Sequence, residues 1–140
     1  MTYRTVADVL QGQKLLALGK QASVQEACRR MWESRKGSVL VVDHEQRLLG
    51  IFTGRDAVRT LAEGRNAETT PVTHAMTRSP VTVAPSIVAI DALRKMNDYG
   101  FRHLPVVDGD TILGVVSRGD FKGIEIERLD DDEHLAELLR

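Results

Sequence analysis

Apolar positions along this chain form short runs and helical faces, and the same order of them occurs twice. Leu15 to Leu18 is a short apolar run, predicted as a strand. Ser23-Val24-Gln25-Glu26 follows with the spacing of a capping box and starts a helix. Val24, Ala27, Cys28 and Met31 stand at i, i+3, i+4 and i+7, which gives one apolar face, and Gly37 is the predicted stop. Val39-Leu40-Val41-Val42 is β-branched, bounded by Asp43, and reads as a buried strand. His44-Glu45-Gln46-Arg47 is a polar turn, and Leu48 to Phe52 is the partner strand of a hairpin. Thr53-Gly54-Arg55-Asp56 then opens a helix that runs to about Ala62.

The second passage keeps this order. Val81-Thr82-Val83 is its first strand, broken by Pro85, and Ala89, Ala92, Leu93 and Met96 are its helix face. Leu104 to Asp108 and Ile112 to Val116 are a hairpin around Gly109-Asp110, and Ser117 to Asp120 opens the last helix. The clearest mark of repetition is Gly50-Ile51-Phe52-Thr53-Gly54-Arg55-Asp56 against Gly114-Val115-Val116-Ser117-Arg118-Gly119-Asp120, 64 residues apart. Repetition at a fixed offset means two copies of one structural unit. The unit is β-α-β-β-α, so the predicted fold is a mixed α+β pair of repeats. Units of about 60 residues are marginal alone, and the two are expected to share a core.

The predicted boundaries are residues 5–63 for the first repeat with its lead-in helix, 64–80 for a polar connection, 81–123 for the second repeat and 124–140 for an acidic tail. The lead-in, Thr5 to Leu10, has a capping pair in Thr5 and Asp8. The connection carries a short helical piece that ends at Met76. The tail holds Glu125, Glu127, Asp130, Asp131, Asp132, Glu133 and Glu137, with Leu135, Leu138 and Leu139 as an apolar edge. It reads as a solvated helix or as a docking helix for a second subunit or partner.

Composition narrows the class. The chain has 140 residues, 42% hydrophobic and 28% charged, which is ordinary for a soluble globular protein. Net charge is −1, with no basic cluster of the kind that meets nucleic-acid phosphates. No apolar run approaches a membrane span, and the amino terminus opens without a hydrophobic signal segment. The single Cys28 forms no internal disulfide and fits a reducing cytoplasm, as an inert thiol on an apolar helix face. Trp32, one turn later, is placed at an interface edge. His44, His74, His103 and His134 lack paired metal-ligand spacing, so no metal is expected. There is no nucleophile and base pair, and no enzyme activity is expected.

The candidate chemistry lies at the end of each repeated motif. Thr53 with Asp56, and Ser117 with Asp120, have the spacing of an N-cap and its N3 acid, which needs no ligand. The same geometry offers helix N–H groups to an anion, a carboxylate to the two hydroxyls of a ribose and a hydroxyl to a phosphate. Both readings hold together. Arg55 and Arg118 either clamp a phosphate or stand as surface arginines.

These residues resemble the CBS (cystathionine β-synthase) motif, twice, over about Val6 to Lys122. The resemblance rests on Val41-Val42-Asp43 with Gly50 to Asp56, and on Leu104 to Asp108 with Ser117 to Asp120. It implies a tandem CBS pair, or Bateman module, whose repeats pack with pseudo-twofold symmetry. It further implies a ligand in the inter-repeat cleft: AMP, ADP, ATP, NAD or S-adenosylmethionine. Asp56 and Asp120 are the implied ribose acceptors. Arg102 and His103 are implied as phosphate contacts, with Ser38 in the matching place of the first copy, and Thr77 as part of an adenine pocket. The module is expected to be stand-alone, homodimeric and able to regulate a partner in trans. The alternative is a protein–protein scaffold with degenerate sites. The copies differ: Lys20 faces Pro85, Ser23 faces Val88 and Gly37-Ser38 faces Arg102-His103, so two unequal sites are expected.

Overall fold

The structure is a computed structural model that describes the backbone of residues 3–121 and 123–139; the side chains of residues 124, 131–133 and 136 lie outside the description, and with them the predicted acids Asp131, Asp132 and Glu133. In chain order the elements are α1 (Val6–Leu10), β1 (Ala17–Gly19), α2 (Val24–Ser34), β2 (Ser38–Val42), β3 (Leu48–Thr53), α3 (Gly54–Ala62), β4 (Thr77–Arg78), α4 (Ala89–Tyr99), β5 (His103–Asp108), β6 (Thr111–Ser117) and α5 (Gly123–Leu138). Short 3-10 turns occupy Val72–His74 and Arg118–Asp120. The chain divides into two compact units, Lys14–Val81 with Gly109–Ile112, and Met1–Gln13 with Thr82–Asp108 and Leu113–Arg140.

The unit built on the first copy holds a four-stranded sheet in the order β1-β2-β3-β4. β1 runs parallel to β2, with Leu18 opposite Val41, and β2 pairs antiparallel with β3, with Ser38 opposite Thr53. β2 is buried along its whole length, as the apolar run Val39 to Val42 predicts, and Ser38 at its start is buried with it. The predicted α2 face is confirmed: Val24, Ala27 and Met31 are buried against Val39, Val41 and Phe52. Ser23 caps α2 by accepting the Glu26 amide at 3.1 Å. The helix ends at Arg35, which takes the left-handed conformation at φ 54°, and not at Gly37. The first strand starts later than the apolar run suggested: its pairing with β2 begins at Ala17 opposite Leu40, and Leu15 is 45% exposed.

The second copy departs from the predicted pattern at both ends. Val81 to Val83 is not a strand; Val83 alone bridges Val106 in parallel, in the register of Leu18 and Val41. Pro80 and Pro85 flank it and lack the amide that a ladder needs. Nor does Ser117 open a long helix. The turn at Arg118–Asp120 stops at Phe121, which is extended at φ −87° and ψ 143°, and α5 begins afresh at Gly123. Between these points the expectation stands: Ala89, Ala92, Leu93 and Met96 are buried on α4.

α1 belongs to the unit of the second copy. Thr5 bridges Val88, and the Val6 and Ala7 amides donate to Ile87 and Pro85 carbonyls at 2.8 and 3.0 Å. The connection before the second copy is bonded to the first in the same way: Ser23 bridges Pro71, and β4 pairs with β3. Each copy is thus completed by the segment that precedes the other. This explains an uncapped helix. Val88 offers no capping side chain to α4, but the Ala89 amide donates to the Arg4 carbonyl at 2.8 Å. The Val24 amide of α2 donates to Thr70 in the equivalent place at 2.9 Å.

The same exchange explains the first residue of the repeated motif. A Cβ on Gly50 would stand 2.5 Å from Met76 Sδ and 2.6 Å from the Thr77 carbonyl, where β4 crosses β3. A Cβ on Gly114 would stand 2.5 Å from Gln13 Oε1. There the Gln13 carboxamide replaces a strand: it accepts from the Val115 amide and donates to the Val115 carbonyl, both at 2.9 Å. Each glycine is the place where the other copy's lead-in passes close to the hairpin.

Candidate functional site

Each unit carries a turn that leaves a hairpin strand through the hydroxyl residue of the motif. In the first, Thr53 is extended at φ −123° and ψ 170° and precedes the nine-residue α3. Asp56 turns back, and its Oδ2 accepts the Thr53 amide at 2.9 Å and the Thr53 hydroxyl at 3.2 Å. Its Oδ1 meets Arg59 Nη2 at 3.3 Å, and that guanidinium donates to the Ala75 carbonyl at 2.6 Å. Asp56 is only 6% exposed, so its lone pairs are largely spent on the protein. Ser38, also 6% exposed, lies across from Thr53, and the Gly37 carbonyl accepts the Gly54 amide at 3.1 Å. Arg55 is exposed on the first turn of α3. Thr77 is exposed on β4 opposite Ile51, in this same unit.

The second turn repeats the backbone but not the environment. Asp120 Oδ2 accepts the Ser117 amide at 2.8 Å and its hydroxyl at 3.1 Å. The Arg102 carbonyl accepts the Arg118 amide at 3.0 Å, as Gly37 does for Gly54. Asp120 is exposed where Asp56 is buried, and no ion pair of the Arg59 kind holds it among the described residues. A 3-10 turn of three residues follows, and a turn so short has little dipole to offer an anion. Positive charge here comes from side chains. Arg102 is exposed, and Arg118 Nη1 donates to Asn97 Oδ1 on α4 at 2.5 Å. His103 begins β5, half-buried. Burial lowers its imidazole below the ordinary 6.5; the Asp120 carboxylate opposes the shift and Arg102 adds to it.

The predicted residues therefore fall into two sets, Ser38, Thr53, Arg55, Asp56 and Thr77 in one unit, and Arg102, His103, Ser117, Arg118 and Asp120 in the other. The two turns differ in their surroundings: Asp56 is buried and tied to Arg59, whereas Asp120 is exposed. Arg59 is the residue that sequence reading missed. Its signal is the i, i+3 spacing from Asp56 to a cation in one helical turn.

Cys28 is partly buried against the core, and burial pushes its thiol up. Among the described residues no group of three or more His, Cys, Asp or Glu side chains is placed to hold a metal, and no helix is long and apolar enough to cross a membrane.

Comparison with known proteins finds the same duplication. The family model described as the CBS domain matches residues 6–63 and again 72–125. A CBS domain-containing protein of Arabidopsis thaliana, CBSCBSPB2, is 41% identical over 104 residues, which is 74% of this chain but 19% of that relative. The chain thus spans about a fifth of the length of the Arabidopsis relatives it matches. The structure of a protein with CBS domains from Burkholderia ambifaria is 32% identical, with a TM-score of 0.78 over 84% of this chain and 90% of that one. A CBS domain protein from Pyrobaculum aerophilum, complexed with AMP, shares the fold at a TM-score of 0.82, with 22% identity over 91% of this chain and 99% of that one.

Proposed function

The chain belongs to the CBS-domain family, and from that premise we propose that it is a non-catalytic regulatory module that binds an adenine nucleotide at its hydroxyl–aspartate turns. The observation that carries the reading is the exposed Asp120 carboxylate bonded to Ser117 and electrostatically coupled to His103, in the same unit as Arg102 and Arg118. A carboxylate there can take both hydroxyls of a ribose, and a planar guanidinium can take a phosphate. The AMP carried by the Pyrobaculum relative supports an adenine ligand for this fold. ADP, ATP, NAD and S-adenosylmethionine complete the ligand class. Binding acts by favouring one conformation or one partner over another, in proportion to the ligand's differential affinity. We place the module in the cytoplasm, as a homodimer that acts on a partner protein in trans.

Thermal melting with AMP, ADP, ATP, NAD and S-adenosylmethionine tests this. A ligand at 100 times its Kd stabilises by about 2.7 kcal/mol. Asp120→Ala is expected to remove most of the nucleotide shift. Asp56→Ala is expected to remove less of it and to lower the ligand-free stability by about 1–2 kcal/mol, the usual cost of losing a helix cap. If no adenine ligand raises the melting temperature of the wild-type chain, the proposal is wrong.

A second reading, a protein scaffold or dimerisation module with degenerate ligand sites, has its own observation. Asp56 is buried and already bonded to Thr53 and Arg59, while Trp32, Val58 and Leu61 are 85%, 65% and 74% exposed. Assembly that is identical in wild-type and Asp56→Ala/Asp120→Ala chains, with no nucleotide response, favours the scaffold.

A further inference from the structure

Asp120 offers two separate groups. Its carboxylate faces Ser117, and its backbone carbonyl accepts Arg4 Nη2 at 3.3 Å. The same guanidinium grips Glu125, on the first turn of α5, as a fork: Nη2 to Oε1 at 2.5 Å and Nε to Oε2 at 3.2 Å. The Arg4 backbone is itself pinned, because its carbonyl accepts the Ala89 amide that starts α4. Only the side chain is free to reach, in one direction to the turn and in the other to α5. Between those two points lies Phe121, the extended residue that separates the turn from α5 and is 7% exposed. The side chains of Arg4 and Glu125 are 27% and 13% exposed, which shields the pair from much of the screening that weakens surface ion pairs. A bidentate guanidinium–carboxylate pair also fixes geometry, which a lysine ammonium would not.

We propose that Arg4 is a positioning residue for the Asp120 turn and couples that turn to the anchoring of α5, so that a nucleotide on Asp120 and a docked α5 stabilise each other. The inference rests on the nucleotide reading of Asp120 given above. Coupling between two sites is reciprocal: what α5 docking adds to ligand affinity, the ligand adds to α5 docking. Arg4 suits this role because one rigid group touches both elements. Loss of its fork breaks this link between the Asp120 carbonyl and the Glu125 carboxylate. The Ser117 bonds to the Asp120 carboxylate do not involve Arg4; the Coulomb attraction between Arg4 and Asp120 is lost with the charge in Arg4→Ala and kept in Arg4→Lys.

The full chain is titrated with AMP and with ATP by calorimetry, and hydrogen exchange is followed at residues 117–129 with and without nucleotide. In Arg4→Ala the binding that depends on Asp120 is expected to weaken about five- to tenfold. Nucleotide is expected to slow exchange at the start of α5 in the wild-type chain and no longer in the variant. Arg4→Lys, which keeps the charge and loses the fork, is expected to recover part of the affinity but not the protection of α5. Glu125→Gln weakens the fork from the α5 end and is expected to lose the protection as well; it decides the matter if Arg4→Ala does not fold. Unchanged affinity and unchanged nucleotide protection in Arg4→Ala or in Glu125→Gln would overturn the coupling. A wild-type chain that binds neither nucleotide overturns the nucleotide reading, and the coupling with it; the two failures differ in whether the wild-type chain itself gives heat.

Discussion

At the scale of single residues, the two turns show how one motif takes on different chemistry from its surroundings. Thr53 with Asp56 and Ser117 with Asp120 make the same backbone and hydroxyl bonds to one carboxylate oxygen. They differ in the other oxygen, which is held by Arg59 for Asp56, and in exposure. His103 gives a pH test of the open turn. Its folded value lies below 6.5, so as pH falls through 6.5 the unfolded chain takes up the proton first and folding stability declines. Denaturant unfolding between pH 7 and 5 is expected to show this slope, and His103→Gln to flatten it. A phosphate bound beside His103 would favour the imidazolium, so AMP is expected to bind more tightly at pH 6 than at pH 7, whereas adenosine is not. Equal pH dependence for the two ligands would place His103 away from the phosphate. The bonds within each turn were legible in sequence because they span three residues. Arg4 was not, since its partners Asp120 and Glu125 are brought to it by folding; for Arg59 only the i, i+3 spacing to Asp56 is local, and its bond to the Ala75 carbonyl is made by folding.

At the scale of elements, periodicity identified the helices that bury one face and the strands that bury both. It was less reliable where an element owes its ends to another segment. Arg35 closes α2 because its carbonyl-capping amide bonds run to Met31 and Trp32. Gly37, the residue that composition favours for a stop, serves instead as the acceptor for Gly54. The second copy's first strand shrinks to Val83, whose amide donates to the Pro105 carbonyl and whose carbonyl accepts the Val107 amide, and Pro80 and Pro85 on either side offer no amide to lengthen the ladder. β4 was not predicted at all. It is two residues long, exposed on both, and exists because Gly50 lets it approach β3. Gly50→Ala is expected to push β4 off that edge and to cost about 1–3 kcal/mol, as overpacking does. Faster hydrogen exchange at residues 77–79 would accompany the loss; unchanged exchange would show that Met76 moves aside without freeing β4.

At the scale of the molecule, the repeat was readable as two copies, and each copy's hairpin and central helix match their expected places. The lead-ins were not readable. α1 precedes the first copy in sequence yet bonds to the second, and β4 precedes the second yet bonds to the first. The exposed Trp32, Val58 and Leu61 lie on α2 and α3, two helices in contact. Apolar groups left in water on adjacent helices favour burial by a second copy. Light scattering is therefore expected to give about twice the 15.5 kDa mass of one chain. A Trp32→Ser/Val58→Ser/Leu61→Ser chain is expected to give the single mass with unchanged circular dichroism. A wild-type chain of single mass would remove this face from consideration as a self-association surface. By itself the sequence determined the duplication, the buried faces and the hydroxyl–aspartate turns, because those follow from local periods and from bonds across a few residues. Only the tertiary structure decided which copy each lead-in completes, which aspartate is buried, and why both motifs begin with glycine. Those depend on contacts between residues far apart in the chain, such as Met76 and Thr77 on Gly50, and Gln13 on Gly114.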